Sequence, residues 1–146
     1  MKSRALAILA VVAVGLVFLT YPFKNAQAEP GTVVSISGNV TLAEGFTLQV
    51  GATASGPSNA LVGQGFDSPF RGNPTATTPP GYCRFPLTGS ASGNVVSLSG
   101  NVSFSNDPSN LGVAVSITAD ASTSAITFVF GPFTLTDTGS VVIAHE

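Results

Sequence analysis

The stretch VVSISGNVTL, residues Val33–Leu42, recurs as VVSLSGNVSF at Val95–Phe104. In both copies apolar residues alternate with serine, asparagine or threonine. Because successive side chains of a β-strand point to opposite faces, this two-residue period predicts a strand with one buried face. The glycines of the two copies, Gly38 and Gly100, fall in phase with the apolar residues, so we expect them on the inner face.

The pair Gly38-Asn39 also has the sequence favoured in two-residue hairpin turns. A turn there would place Ile36 opposite Thr41 and Ser35 opposite Leu42. Residues that lie opposite one another share a face of the sheet, so each pair would mix core with solvent. The sequence therefore favours an uninterrupted strand over a turn at this position.

The same parity predicts two antiparallel hairpins. A three-residue loop that ends in Gly45 would pair Val34–Leu42 with Phe46–Ala54, with every inward pair apolar. A Gly-Asn turn ahead of the second copy would pair Cys83–Ala91 with Val96–Phe104. We interpret the repeat as two related hairpin modules. The alternative is that one favourable strand sequence arose twice.

The remaining segments predict further strands. Val113–Ala119 continues the inward phase, and the apolar run Ala125–Leu135 is typical of a strand buried on both faces, with a break or bend at Gly131-Pro132. Asp137-Thr138-Gly139 predicts a turn. Short strands at this spacing, without a helical period, predict an all-β fold: one antiparallel β-sandwich or flattened barrel of eight or nine strands.

The N-terminal 28 residues have the features of an export signal. Lys2 and Arg4 precede the apolar run Ala5–Phe18, and Ala26-Gln27-Ala28 has the small-x-small form of a cleavage site. We therefore expect a signal peptide at 1–28, a β domain at 29–146, and a secreted or cell-surface protein, with the periplasm as a further location. The alternative is an uncleaved anchor, although a spanning helix needs roughly 20 apolar residues.

Charge and cysteine content limit the possible partners. Seven acidic and two basic side chains follow residue 28, a net charge of −5 without any lysine. Phosphate binding needs clustered cations, so we expect no nucleic-acid partner, and no membrane association after signal cleavage. Cys83 has no second cysteine in the chain. Its inward phase predicts a buried, reduced thiol, with an interchain disulfide as the alternative.

No motif carries a convincing catalytic or metal site. Asp137-Thr138-Gly139 resembles the triplet of aspartic proteases, but the chain has a single copy, and a hairpin turn is the simpler interpretation. His145 is penultimate, and the loop Ser105–Asn110 lacks the acidic density of a calcium site. We therefore expect a protein that is not an enzyme and has no cofactor and no metal.

Two sequons and one aromatic residue bear on carbohydrate. Asn39 and Asn101 begin glycosylation sequons at equivalent places in the repeat, although outward polar residues of a strand would have the same pattern. Sugar-binding modules stack aromatic rings on their ligands. By phase, only Phe70, next to Arg71 in the proline-rich segment 67–80, is an available aromatic residue.

These observations favour an exported, non-catalytic protein with a structural or adhesive role at the cell surface or in the extracellular matrix. Val33–Leu42 carries no lysine or proline, so we expect its edge, through Val33, Ser35 and Ser37, or the short segment ahead of it to bind a surface partner or a second copy by strand addition. The simpler alternative is that Ser140–Ala144 covers this edge.

Pro86 marks the strand Cys83–Ala91 as a guarded or terminal edge of the sheet, because proline cannot donate a ladder hydrogen bond. The alternative function is a small-ligand or protein-binding module that uses the 67–80 loop, with Phe70 and Arg71 as contact residues.

Overall fold

The computed structural model describes residues 31–41, 47–69 and 82–146. Nine strands are present there: β1 (Thr32–Thr41), β2 (Thr47–Gly56), β3 (Leu61–Pro69), β4 (Cys83–Ser92), β5 (Val95–Asn101), β6 (Phe104–Ser105), β7 (Ala114–Asp120), β8 (Ala125–Phe130) and β9 (Phe133–His145). Between β6 and β7, Pro108–Asn110 forms one turn of 3₁₀ helix. In these three ranges no helix is long and apolar enough to cross a bilayer.

The strands form one antiparallel sheet that closes on itself. Eight of them follow the order β3-β2-β1-β9-β8-β7-β5-β4, and a further β3–β4 ladder joins the ends of this order into a ring. The two-residue β6 pairs with β4 as an additional strand. The predicted all-β antiparallel class is confirmed, and the nine strands of the described residues agree with the predicted eight or nine. The sheet forms a closed barrel, which satisfies strand edges that an open sheet would leave exposed.

The predicted register of the first hairpin is confirmed. Val34 pairs with Ala54 and Ile36 pairs with Ala52, and the ladder continues to Thr41. β1 runs through Gly38-Asn39 without a turn, and its inward residues are almost fully buried. Pairing beyond Thr41 lies outside the described residues, as do the proposed signal peptide and most of the 67–80 segment.

The second hairpin follows the prediction at its turn and departs from it farther along. Ala91 pairs with Val96 as expected, but Arg84 rather than Cys83 lies opposite Phe104. The register shifts by one residue between these two pairs, so the chain after β5 contains one extra residue and forms a β-bulge. There the Val102 N–H donates a hydrogen bond to the Val113 carbonyl and not to β4. The predicted inward position of Phe104 is wrong, because the bulge turns this side chain outward and leaves it 55% exposed.

Pro86 lies where this irregularity occurs, and its assignment to a terminal edge is wrong. β4 is flanked by β3 and β5, and Gln64 of β3 pairs with Pro86. The Pro86 carbonyl points at Gly100 of β5. Since a residue's N–H and C=O face the same side of a strand, the missing N–H faces the gap where β5 ends and β6 begins.

Two predictions for the C-terminal strands are also wrong. β8 buries Ile126 and Phe128 but not Ala125, because a filled barrel covers only the inner face of its wall. The chain does turn at Gly131-Pro132, as predicted. It does not turn at Asp137-Thr138-Gly139, which lies within β9. β9 pairs with β8 through its first half and with β1 through its second half, so ladders keep this segment extended.

The barrel interior is filled by side chains of unequal size. The rings of Phe85 and Phe128 lie at its centre, with centroids 6.0 Å apart and planes 22° apart. Gly65 on β3 provides the space for them, because a Cβ there would lie 2.9 Å from Leu87 Cδ1 and 3.0 Å from Phe85 Cδ2. Large residues on some strands therefore require glycine on others.

The glycine of the repeated sequence has the same role in both copies. Gly38 lies opposite Gly139 of β9, where a Cβ on Gly139 would lie 2.8 Å from Gly38 Cα. In the second copy, a Cβ on Gly100 would overlap the carbonyl oxygen of Pro86 on β4. β1 and β5 lie four places apart in the ring of eight strands, and neither has room for a Cβ at its glycine: at Gly38 the nearest atom would be Ile126 Cδ1, and at Gly100 it would be the Pro86 carbonyl oxygen.

We predict that Gly139→Ala lowers the free energy of unfolding by about 1–3 kcal/mol, because the new methyl group would meet backbone atoms that cannot move aside. Urea denaturation measures this change. Gly31→Ala is the matched control, since its Cβ would lie at an ordinary 3.7 Å from the Glu146 carboxylate. Equal stability of the two variants would contradict the close approach of β1 and β9.

Candidate functional site

Outward-facing residues form a row across the barrel wall. Successive cross-strand pairs join β9, β1, β2, β3, β4 and β6, and residues opposite one another share a face. The row consists of Ser140, Ser37, Gly51, Phe66, Arg84 and Phe104. The closed sheet thus brings residues from distant parts of the chain onto one outer surface.

Aromatic rings cluster at one end of this row. The ring of Tyr82 stacks on that of Phe66, with centroids 6.4 Å apart and planes 28° apart. Its edge contacts Phe104 at 6.4 Å between centroids. The Arg84 guanidinium carbon lies 5.3 Å from the Tyr82 ring centroid, and Arg84 Nε donates a hydrogen bond to the Tyr82 hydroxyl. These four residues are called the aromatic patch.

A groove of about 400 Å³ borders the patch. It is lined by Gly51, Ala52, Thr53, Gln64, Gly65, Phe66, Tyr82 and Arg84. Gly51 allows the Phe66 ring to lie close to the wall, because a Cβ there would lie 2.7 Å from Phe66 Cζ. The aromatic groove therefore combines ring faces, the hydroxyl of Thr53, the amide of Gln64 and one cation, and its volume lies in the range of small-ligand sites.

A second groove of about 390 Å³ extends the first one along the wall. The two share Thr53 and Gln64, and the second reaches Val33 and Ser35 on β1. The two grooves together form a trough that crosses the outer faces of β1 to β4.

Arg84 gives the aromatic groove a positive charge. It is the only lysine or arginine among residues 31–41, 47–69 and 82–146, and it forms no ion pair with any of them. Asp67, although next in sequence to Phe66, points into the barrel. Of the five guanidinium N–H groups, the one on Nε is engaged by Tyr82. The terminal nitrogens can therefore bind an anion.

The structure describes three of the five residues that were predicted to bind a partner. Phe70 and Arg71 lie outside the described residues, so the predicted site in the 67–80 loop stays a prediction. Val33, Ser35 and Ser37 do face outward on β1. They are not on a free edge, because β1 pairs with β2 on one side and with β9 on the other.

Strand addition at Val33–Leu42 is therefore wrong for the described part of this strand, Val33–Thr41, because its backbone groups already belong to two ladders. The alternative, that the C-terminal strand covers this edge, is confirmed: Val33 pairs with Ala144 and Ser37 pairs with Ser140.

The aromatic patch was missed by sequence reasoning. The sequence pattern placed Phe104 on the inner face of the sheet, whereas the bulge turns it outward. No local sequence pattern indicated that Tyr82 and Arg84 belong to a binding surface. Phe66 could have been recognised, since Leu61, Gly63 and Gly65 mark the inner phase of β3. Asp67 shares this inner phase, so the segment lacks a uniformly apolar inner face.

Inside the wall, Asp67 pairs with Cys83. Their side chains are 2% and 1% exposed, and Asp67 Oδ2 has no hydrogen-bond partner in the described part of the chain. Burial raises the pKa of Asp67 to about 7, although contacts with the Cys83 thiol and backbone N–H oppose the shift. Burial likewise raises the pKa of the Cys83 thiol, which donates a hydrogen bond to Ser105 Oγ at 3.4 Å. The predicted burial of Cys83 is confirmed, whereas its reduced state stays a prediction.

The other candidate motifs have structural partners. Asp107 caps the 3₁₀ turn, and its Oδ1 accepts hydrogen bonds from the Ser109 N–H and hydroxyl at 3.0 and 2.8 Å. His145 Nδ1 lies 3.1 Å from the Thr32 hydroxyl. Asn39 and Asn101 are exposed, as outward strand residues should be. Over the described ranges, no three histidine, cysteine or acidic residues converge as metal ligands.

Comparison with known proteins adds no relative. No protein-family model, no curated protein and no solved structure matches the chain.

We predict that Asp67 makes stability depend on pH. Its folded pKa lies above the unfolded value of 3.8, so its stabilising contribution is complete below that value and is lost as the pH rises through about 7. From about pH 5 to about pH 8 the free energy of unfolding should fall by about 2–3 kcal/mol. Asp67→Asn should abolish most of this change in urea denaturation.

Asp120→Asn is the matched control for this measurement. Hydrogen bonds from Ser122 lower the pKa of the exposed Asp120 carboxyl, so it does not titrate between pH 5 and pH 8. The variant should keep the pH dependence of the unmodified protein. A flat profile in the unmodified protein would show that Asp67 is not buried as a neutral acid.

Proposed function

We propose that this protein is an exported, non-catalytic module that binds polysaccharide through the aromatic groove and so serves an adhesive role at the cell surface or in the extracellular matrix. The observation that carries the proposal is the stacked pair Phe66 and Tyr82 beside the polar side chains of Thr53 and Gln64.

This combination of groups suits a sugar ring. The C–H groups on one face of a pyranose carry partial positive charge, and an aromatic face is negative, so the two attract. Hydroxyl groups around the ring edge need hydrogen-bond partners, which the Gln64 amide and the Thr53 hydroxyl can provide. A purely apolar ligand would leave these polar groups without partners.

The trough favours a polymer over a single sugar. The second groove continues from Thr53 and Gln64 towards Val33 and Ser35. No aromatic ring lines this second groove, so further sugar units of the same chain would contact the side chains of Val33 and Val62 and the hydroxyl of Ser35 there. Affinity would then be shared among several weak contacts, which agrees with an open, shallow wall.

Arg84 favours sugars that carry a carboxylate. A guanidinium binds a carboxylate through two parallel hydrogen bonds, a geometry that an ammonium group lacks. A nucleic acid fits the site poorly, because the protein carries a net charge of −2 and phosphate binding requires several clustered cations. A largely neutral polysaccharide that carries occasional uronic acid units is therefore the ligand class best suited to this groove, because the net negative charge would repel a fully ionised polymer as it would a nucleic acid.

We predict that Tyr82→Ala weakens binding to a sparsely carboxylated polysaccharide such as glucuronoxylan at least tenfold, because it removes the central ring of the patch. Tyr82→Phe keeps the ring and should stay within about threefold of the unmodified protein, on the scale of one lost exposed hydrogen bond. Affinity electrophoresis and calorimetry would measure both changes.

Phe133→Ala is the control for this experiment, since Phe133 is as exposed as Phe104 but lies at the β8–β9 turn, away from the groove. It should bind like the unmodified protein. If no polysaccharide in a panel of acidic and neutral polymers binds, the proposed function is wrong.

We further predict that Arg84→Gln lowers affinity for the acidic polymers about tenfold, the effect of one lost charge-assisted contact, and reduces the dependence of binding on salt concentration. Affinity for a neutral polymer such as a β-glucan should change little. Equal losses for acidic and neutral polymers would show that Arg84 supports the Tyr82 ring rather than a carboxylate.

A further inference from the structure

Among residues 31–41, 47–69 and 82–146, one stretch of strand edge has no neighbouring strand. The β8–β9 ladder ends at the pair Ala125–Thr138, whereas the β1–β9 ladder continues to His145. Past Thr138, the only backbone hydrogen bond on the β8 side of β9 is from the Gly139 N–H to the Ser124 carbonyl, as far as the described residues show. The segment Ser140–His145 is called the β9 edge.

The backbone groups that face the open side can be identified. Gly139 points its N–H away from β1, and the direction alternates along a strand. Glu146, an even-numbered residue, donates its N–H to Gly31 on the β1 side, which agrees with this alternation. The N–H and C=O groups of Val141, Ile143 and His145 therefore point to the open side.

The β9 edge carries none of the usual protection. Natural edge strands are guarded by lysine, proline or inward charge. Residues 140–144 read SVVIA, without charge or proline, and Val142 is 53% exposed on the outer face. An uncharged, β-branched edge of this kind is a template for another strand.

We propose that the β9 edge pairs with the β9 edge of a second copy of this chain, antiparallel about a two-fold axis at Ile143. In this register Ile143 of one copy exchanges two hydrogen bonds with Ile143 of the other, and Val141 does the same with His145 on each side. Six backbone hydrogen bonds form, and on the outer face Val142 lies beside Ala144 of the other copy.

A second copy suits this edge, because the two-fold register pairs the uncharged residues of one copy with those of the other and places Glu146 opposite Ser140. The antiparallel arrangement also keeps the two Glu146 side chains apart, whereas a parallel one would place these like charges side by side. The β9 edge contributes no residue to the aromatic groove, so this proposal does not depend on sugar binding.

Sedimentation equilibrium of the purified protein over a wide concentration range tests the proposal. We expect a reversible dimer of micromolar affinity, on the order found for small interfaces. Val142→Lys should abolish it by guarding the edge. Thr134→Lys is the matched control: it places lysine at an exposed position of β9 that is already paired with β8, and should leave the dimer intact.

Ile143→Pro provides a second test that spares the fold. The N–H that it removes points to the open side, so the β1 ladder keeps its hydrogen bonds, and the variant should be monomeric with a retained β-sheet spectrum. A disulfide gives the positive result: Ile143→Cys should cross-link under mild oxidation, because paired strands bring the two Cα atoms to about 5.5 Å. A strictly monomeric protein, or a dimer that survives both Val142→Lys and Ile143→Pro, would overturn the proposal.

Discussion

The barrel closes through the change of partner within β9. This strand leaves β8 and joins β1 where Gly38 and Gly139 lie opposite one another, with Ile126 filling the inner space beside them. A Cβ at either glycine would lie 2.7 Å from Ile126 Cδ1, so the crossing has no room for a side chain. The same geometry sets the end of the β8 ladder and thereby creates the open β9 edge.

The alternation of apolar and polar residues along the sequence predicted the parts of the fold in which a strand buries one face. It gave the register of β1 with β2 because their inward residues are all apolar or small. It failed at Phe104, where hydrogen bonds to distant residues create a bulge that no local pattern records. It also failed at Asp137–Gly139, where turn-forming residues remain extended because ladders on both sides override their local preference.

The candidate site was less predictable than the fold because it depends on non-local register. Phe66, Tyr82 and Phe104 come from three separate segments, and only the β3–β4 and β4–β6 pairings bring their rings together. Sequence reasoning instead placed the available aromatic residue in the 67–80 loop, where Phe70 and Arg71 lie outside the described residues. The alternation of apolar and polar residues predicts whether a single residue is exposed. It does not predict which residues share a surface, because that depends on the order of the strands in the sheet.

The proposed groove and the proposed interface reinforce one another physically. A shallow groove with one cation binds each sugar unit weakly, whereas two grooves joined in one assembly would make the second binding event intramolecular. β1 lies between the β9 edge and the aromatic groove, and ladders hold it to β9 on one side and to β2 of the groove on the other, so the spacing of the two grooves would be fixed. A fixed spacing selects for ligands long enough to reach both grooves. The gain in affinity would therefore apply to polymers and not to short oligosaccharides, as an adhesive role requires.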